Sequence, residues 1–265
     1  MAIVSPRAHA AALITGASSG IGRELARQLA ARGHDVILVA RRLELLEELG
    51  RELRAEHGRH VEVVACDVSE PVQRGRLAEQ VRAIGLEVDV LVLSAGFGMG
   101  GQLIDQDPDR LQLMMRTNIE STVALAREFT PAMASRRRGS VLIVSSMAGN
   151  QPMPNLAVYS ATKAAVTSFA EALHEELRVH KVSVTALCPG SVATDWAQIA
   201  DMSHTERRLP KAMIATAADT AAAGLSALDR NRRVSVPGWA PRTLNFTGGH
   251  APRALWLRAC RKLMA

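Results

Sequence analysis

The sequence predicts an α/β protein: a three-layer, doubly wound parallel β-sheet with helices on both faces, in a single domain over residues 1–265. Three observations lead to it. Short β-branched runs alternate with longer stretches of helical periodicity along the chain. The runs are apolar on both faces, as strands covered from two sides must be. No internal repeat or low-complexity linker interrupts the alternation.

In order, "AALITG" (11–16) is the first strand, and a helix from about Gly20 to Arg32 follows it. Ile21, Leu25 and Leu29 line one face of that helix, and Gly33 offers its C-terminal stop. "DVILVA" (35–40) precedes a charged helix over 42–57, and "HVEVVACDV" (60–68) precedes a helix around 70–84. "VDVLVLSAG" (88–96) leads through a glycine-rich loop to Asp107-Pro108, an N-cap and first-turn pair for a long helix to about Ser135. Next come "GSVLIVSS" (139–146), a helix over 156–180, "VSVTALCPG" (182–190), helical stretches between 195 and 229, and "RRVSVPG" (232–238). The segments 191–216 and 238–265 read as the least regular, the second as a C-terminal extension.

Composition narrows the function classes. With 48% hydrophobic residues and both charge signs spread throughout, the chain reads as globular rather than disordered. The +6 charge reads as dispersed arginine, and the densest run, Arg136-Arg137-Arg138, as a solvated loop. Aromatic content of 3% leaves little for base stacking, so no nucleic-acid partner is expected. Cys66, Cys188 and Cys260 form no CxxC pattern and read as buried thiols of a reducing, cytoplasmic compartment. The eight histidines make no HExxH, and no metal site is expected. The N-terminal apolar run passes directly into a glycine turn, as a first strand does and a signal peptide does not. No apolar run is long enough to span a membrane.

"TGASSGIG" (15–22) lies between a strand and a helix, the context that gives a glycine pattern meaning. Gly16 suits a tight turn, Gly20 lets backbone approach a diphosphate, and Gly22 allows close helix packing. The helix N-terminus adds unpaired N–H groups and a positive dipole end. A second pattern is "YSATK" (159–163), which holds the only tyrosine of the chain and one of only four lysines. Four residues apart on a helix, Tyr159 and Lys163 share one face.

Together these residues resemble the short-chain dehydrogenase/reductase superfamily in its single-domain branch, over roughly 10–195. The resemblance rests on TGxxxGIG, on Tyr159 and Lys163, on Ser146 thirteen residues before the tyrosine, on Asn118, and on "PGSVAT" (189–194). It implies a Rossmann-like fold and an oxidoreductase that moves hydride between a nicotinamide cofactor and a carbonyl/secondary alcohol pair. It makes Tyr159 the acid/base, Lys163 the cation that stabilises its phenolate and holds the nicotinamide ribose, and Ser146 the hydrogen-bonding partner of the reacting oxygen. Asn118 becomes the holder of a water in the proton relay. A phenol with an ordinary pKa near 10 needs such help to work near neutrality.

Plainer readings stand beside these: Ser146 as a strand-end cap with Ser145 as its neighbour, and Asn118 as a buried polar residue inside the long helix. The resemblance also implies a cofactor site from Gly16, Ser18, Ser19, Gly20, Ile21, Gly22, Arg41, Asp67, Val68, Ser94, Ala95 and Gly96. Pro189, Gly190, Val192 and Thr194 complete it beside Tyr159 and Lys163. One departure is "LSAG" (93–96) where relatives usually read NNAG; Ser94 replaces an asparagine that braces the sheet beside the cofactor.

The cofactor expected is NADP, with NADPH preferred over NADH. Ala40 stands at the end of the second strand, where NAD-preferring sites place an acid, and Arg41 follows with a phosphate-binding fork. Arg42 reads as the start of a solvated helix. On the substrate side, Phe97, Met99, Met153, Trp196, Ile199 and Met202 offer apolar walls for a hydrophobic small-molecule carbonyl or alcohol, or else ordinary core. The resemblance implies a homodimer or homotetramer. The C-terminal "RALWLRACRKLMA" (253–265) allows a membrane-surface helix, although packing on its own domain or a subunit is favoured. The rival class is a non-catalytic dinucleotide-binding protein acting as redox sensor or assembly partner.

Overall fold

The computed structural model describes residues 3–202, 204, 210 and 213–263. Its centre is a seven-stranded, all-parallel sheet in the order β3-β2-β1-β4-β5-β6-β7. The strands are β1 Ala10–Thr15, β2 Asp35–Ala40, β3 Val61–Ala65, β4 Glu87–Leu93, β5 Gly139–Val144, β6 Val182–Leu187 and β7 Val234–Ser235. Helices α1 Gly20–Ala31, α2 Leu43–His57 and α3 Pro71–Ile84 connect the first four strands, and α6 Ala157–Arg178 joins β5 to β6. Between β4 and β5 runs one continuous helical rod: α4 Pro108–Met115, a π turn Arg116–Glu120, and α5 Ser121–Arg136. After β6 come α7 Trp196–Ile199, α8 Ala217–Asp229, α9 Trp239–His250 and α10 Arg253–Leu263.

Strand alternation sends side chains into two cores. Ala11, Leu13, Ile37 and Val39 face one layer with Leu77, Leu125, Phe129 and Val166. Ala12, Ile14, Val36 and Leu38 face the other with Leu25, Leu29, Leu46 and Leu225. Because β1 is flanked by β2 and β4, chain direction across the sheet reverses between β1 and β4. That switch point opens a crevice at the carboxyl ends of the strands, the place where such folds bind ligands.

Local signals behave as the sequence indicates. The Asp107 carboxylate accepts from the Asp109 N–H at 2.9 Å with Pro108 in the first turn, and Gly58 and Gly85 end α2 and α3 in left-handed conformations.

Two expectations are corrected. Residues 238–265, read as irregular, contain α9 and α10; Pro241 falls in the first turn of α9, where its missing N–H costs nothing. The Arg136–Arg138 run is not a solvated loop. Arg138 pairs with Asp89 at 2.9 Å, Arg136 pairs with Glu87 and Asp89, and Arg7 joins them from the N-terminal segment. Asp89 is buried at 2% exposure, so these cations compensate a charge that burial alone would expel. Cys66, Cys188 and Cys260 are buried free thiols. Among the described residues, no helix is long and apolar enough to cross a membrane, and no group of three His, Cys, Asp or Glu side chains is placed to hold a metal.

Candidate active site

A cavity of about 850 Å³ opens at the switch point. Its walls include Gly16, Ser18, Ser19, Gly20, Ile21 and Gly22 from the glycine turn, and Arg41, Asp67 and Val68 from the ends of β2 and β3. Ser94, Ala95 and Gly96 after β4, Ser146 after β5, Tyr159 and Lys163 on α6, and Pro189, Gly190, Val192 and Thr194 after β6 complete the set. The structure thus gathers residues from seven separate stretches of the chain. Of the expected catalytic and cofactor-binding residues, Asn118 alone does not line the cavity.

The glycine turn is shaped for close approach. Gly16 has φ +69, and a Cβ there would lie 3.0 Å from the Ala95 backbone. Thr15 beside it ties the switch point together: its hydroxyl accepts from the Ser94 N–H at 3.0 Å and the Ala95 N–H at 3.2 Å, and it donates to the Val92 carbonyl at 3.3 Å. The bracing sought in the side chain at position 94 is supplied by the neighbouring strand. The α1 N-terminus points its free N–H groups at the same turn.

Two guanidiniums flank the turn where β2 ends. Arg41 is mostly exposed and stands 3.9 Å from Asp67. Arg42 starts α2 as its exposed N-cap residue, as expected, and in addition its Nη2 donates to Ser18 Oγ at 3.1 Å and Ser19 Oγ at 2.9 Å and it lines the cavity. Adjacent residues at a strand-to-helix junction project differently, and sequence alone does not show which one returns to the turn. Asp67 in turn accepts from the Ser69 N–H and hydroxyl, which fixes its carboxylate.

At the far end, Tyr159 is buried against Trp196, ring centres 5.1 Å apart and tilted by 51°. Burial pushes its phenol up to about 12, partly offset by a hydrogen bond with Ser146. Ser146 also caps the short turn Met147–Asn150, accepting from Ala148 N–H at 3.1 Å, so it is both strand-end cap and phenol partner. Ser145 points elsewhere: it donates to the Lys163 carbonyl at 3.0 Å and shares a 2.6 Å contact with Thr167. Burial lowers Lys163 to about 8, and its ammonium donates to the Val144 carbonyl at 3.0 Å.

Asn118 sits in the π turn, where its side chain joins three elements. Oδ1 accepts from the Phe97 N–H at 3.1 Å, and Nδ2 donates to the Phe97 carbonyl at 2.9 Å and to Thr162 Oγ1 at 3.0 Å. Thr162 then donates to the Tyr159 carbonyl at 2.7 Å. Gly96 is enclosed by this group: a Cβ there would lie 2.9 Å from Asn118 Oδ1 and 3.3 Å from Lys163 Nζ.

The substrate-side walls are Phe97, Met153, Trp196, Ile199 and Met202, with Leu156, Met213, Pro241 and Leu244 added by the fold. Met99 is core instead, packed with Met114 and Met202. Positions 203, 205–209, 211 and 212 of the segment 191–216 lie outside the described residues.

The close approach that Gly16 permits and the free N–H groups at the α1 N-terminus fit a nicotinamide dinucleotide. A doubly wound parallel sheet with this turn at its switch point defines a dinucleotide-binding α/β protein. The chain belongs to the short chain dehydrogenase family, whose pattern matches residues 10–203. It is 36% identical over 192 residues to Dehydrogenase/reductase SDR family member 7B of Bos taurus, a match covering 71% of this chain and 59% of that protein. The chain thus spans less than two thirds of that relative. The Very-long-chain 3-oxoacyl-CoA reductase of Anas platyrhynchos is 34% identical, with 83% and 71% covered. A short-chain dehydrogenase from Sphingobium yanoikuyae, solved with NADPH, superposes with TM-score 0.80 at 29% identity, covering 90% of this chain and 92% of that one.

Proposed function

We propose that this protein is an NADP(H)-dependent oxidoreductase acting on a hydrophobic carbonyl/secondary alcohol pair. The observation that carries the reading is the meeting of Ser146, Tyr159 and Lys163 in the cavity whose opposite end is the glycine turn. Binding of a dinucleotide alone does not require that set. The NADPH-bound Sphingobium relative supports the cofactor class.

Residues Gly16 to Gly22 would hold the diphosphate of the cofactor, Arg41 and Arg42 a 2′-phosphate, and Lys163 the nicotinamide ribose. When bound, the cofactor supplies or accepts the hydride. In the reducing direction Ser146 donates a hydrogen bond to the carbonyl oxygen and orients it toward Tyr159. The Tyr159 phenol then delivers its proton to that oxygen, giving the alcohol and leaving a phenolate. A phenol as deeply buried as Tyr159 needs a cation at this moment, and Lys163 supplies it. Asn118 and Thr162 fix the backbone that carries both residues.

The substrate end of the cavity is walled by aromatic, sulfur and aliphatic side chains, which suits an apolar substrate. The contact of a homodimer or homotetramer is assigned to the rod, where exposed Met115 and Val123 flank half-buried Ile119 along a shallow groove. Sedimentation showing monomer alone would reject it.

The test of function is Tyr159→Phe, assayed with NADPH against a panel of apolar ketones. Loss of nearly all turnover with cofactor binding retained supports the mechanism. Near-normal turnover in the variant removes Tyr159 from it.

A further inference from the structure

Charge is distributed along this chain far less evenly than its +6 total suggests. Residues 230–265 contain eight of the 32 basic side chains and none of the 26 acidic ones. The first 229 residues are therefore slightly acidic, and the entire positive excess lies in the last 36.

The structure places most of this stretch in α9 and α10. Before residue 230 about half of the described arginines pair with carboxylates, Arg23, Arg27, Arg32, Arg74, Arg136 and Arg138 among them. In the C-terminal stretch Arg233 pairs with Glu171, whereas exposed Arg242, Arg253, Arg258 and Arg261 have no carboxylate partner among the described residues. Arg242 and Arg253 instead donate to the Val236 and Gly248 carbonyls.

Large apolar side chains are exposed on the same two helices. Trp239 is 76% exposed and Phe246, two turns along the same face of α9, is 63% exposed. On α10, Leu255 and Leu257 are 60% and 38% exposed, while Trp256 and Cys260 turn inward and anchor the helix to the domain. Gly248 lets the helices pack closely, since a Cβ there would lie 3.0 Å from the Trp256 ring.

Uncompensated guanidiniums beside exposed tryptophan, phenylalanine and leucine match one chemistry: a negatively charged surface with an apolar interior. We propose that α9 and α10 form a peripheral docking surface for an anionic lipid bilayer. The arginines meet lipid headgroups, while Trp239 and the exposed apolar side chains enter the acyl boundary. A nucleic acid would match the charge but leave exposed Leu255 and Leu257 without partners. The inward side of α9 contributes Pro241 and Leu244 to the cavity wall, so docking brings that wall close to lipid.

The test uses the full chain with vesicles of phosphatidylcholine alone and of an equal mixture with phosphatidylglycerol. Co-sedimentation with the mixed vesicles, absent with phosphatidylcholine and weakened by high salt, is the expected result. The double variant Arg258→Glu, Arg261→Glu should partition roughly tenfold or more weakly, since each basic group near such a surface contributes about 1 kcal/mol. Trp239→Ser should also weaken binding, with folding of both variants checked by circular dichroism. Equal partition into the two vesicle types overturns the proposal, as does unchanged binding by the double variant. So does binding of an RNA homopolymer without vesicles. A change of oligomeric state in the double variant, with no vesicle binding by the unmodified chain, assigns the face to a second copy and also overturns it.

Discussion

The Lys163 ammonium stands 5.9 Å from the centre of the Tyr159 ring and gives its hydrogen bond to the Val144 carbonyl. Burial acts on the two groups in opposite directions, favouring the neutral form of each. Lys163 falls from 10.5 to about 8, so its folded-state value is depressed. Its contribution to stability is complete above pH 10.5 and is lost as pH falls through about 8. The ligand-free protein should gain on the order of 3 kcal/mol from this group between those values. Tyr159, raised to about 12, works the other way, losing stability as pH rises from 10. Burial also raises the Cys66 and Cys188 thiols from 9.0 to about 11, which lowers stability over the same range. Urea denaturation at pH 8 and pH 10 should therefore show a change that is more favourable in the unmodified chain than in Lys163→Met, and an equal change in both would refute the assignment.

Cofactor preference should depend on two arginines rather than one. Charge-assisted contacts contribute about 1.5–3 kcal/mol, so Arg41→Ala and Arg42→Ala should each lower the ratio of kcat/KM for NADPH over NADH by roughly one to two powers of ten. Were Arg42 only a tether for Ser18 and Ser19, its removal would impair both cofactors alike. Steady-state kinetics with the two cofactors separates these outcomes.

Gly96→Ala places a methyl group among Asn118 Oδ1 and Lys163 Nζ. Overpacking of this kind costs about 1–3 kcal/mol, and here it displaces groups at the site. Turnover and cofactor affinity should both fall while the far-ultraviolet circular dichroism is retained. Unchanged kinetics would mean that the Asn118 and Lys163 side chains yield without consequence.

Asp89→Asn should cost about 3–5 kcal/mol, because it leaves Arg7, Arg136 and Arg138 facing a neutral amide. Bonds from Arg7 and Arg138 outweigh burial and hold this carboxyl below its ordinary 3.8. Its stabilisation is present above that value and disappears as pH falls through the folded one. The acid limb of a stability profile should therefore flatten in the variant, and an unchanged limb would refute the assignment.

Strands such as β2 were legible residue for residue, because a run like "DVILVA" buried on both faces has few other uses. Long-range relations were not legible. Thr15 braces Ser94 and Ala95 only because β1 lies beside β4. Asp89 recruits arginines nearly fifty residues later through the same sheet. The helix over 107–135 was readable as one rod, but its π turn at Arg116–Glu120 was not, since a slipped hydrogen-bond ladder leaves no mark in apolar spacing. At the site, the glycine turn, Ser146, Tyr159 and Lys163 were reached through the family resemblance their order carries, and the fold brings them to one cavity. The return of Arg42 to the turn, and the bonds of Asn118 to Phe97 and Thr162, needed coordinates.

A chain with a single tyrosine, buried in its own candidate active site, is also a one-phenol optical system. Any phenolate absorbance in an alkaline titration comes from Tyr159, with no background from other tyrosines to subtract. Its ring lies 5.1 Å from Trp196, close enough for the tyrosine to pass excitation to the indole, so emission doubles as a gauge of that contact. The group proposed to move the proton is thus the group that absorbs, and its ionisation can be followed in the native sequence without an introduced label.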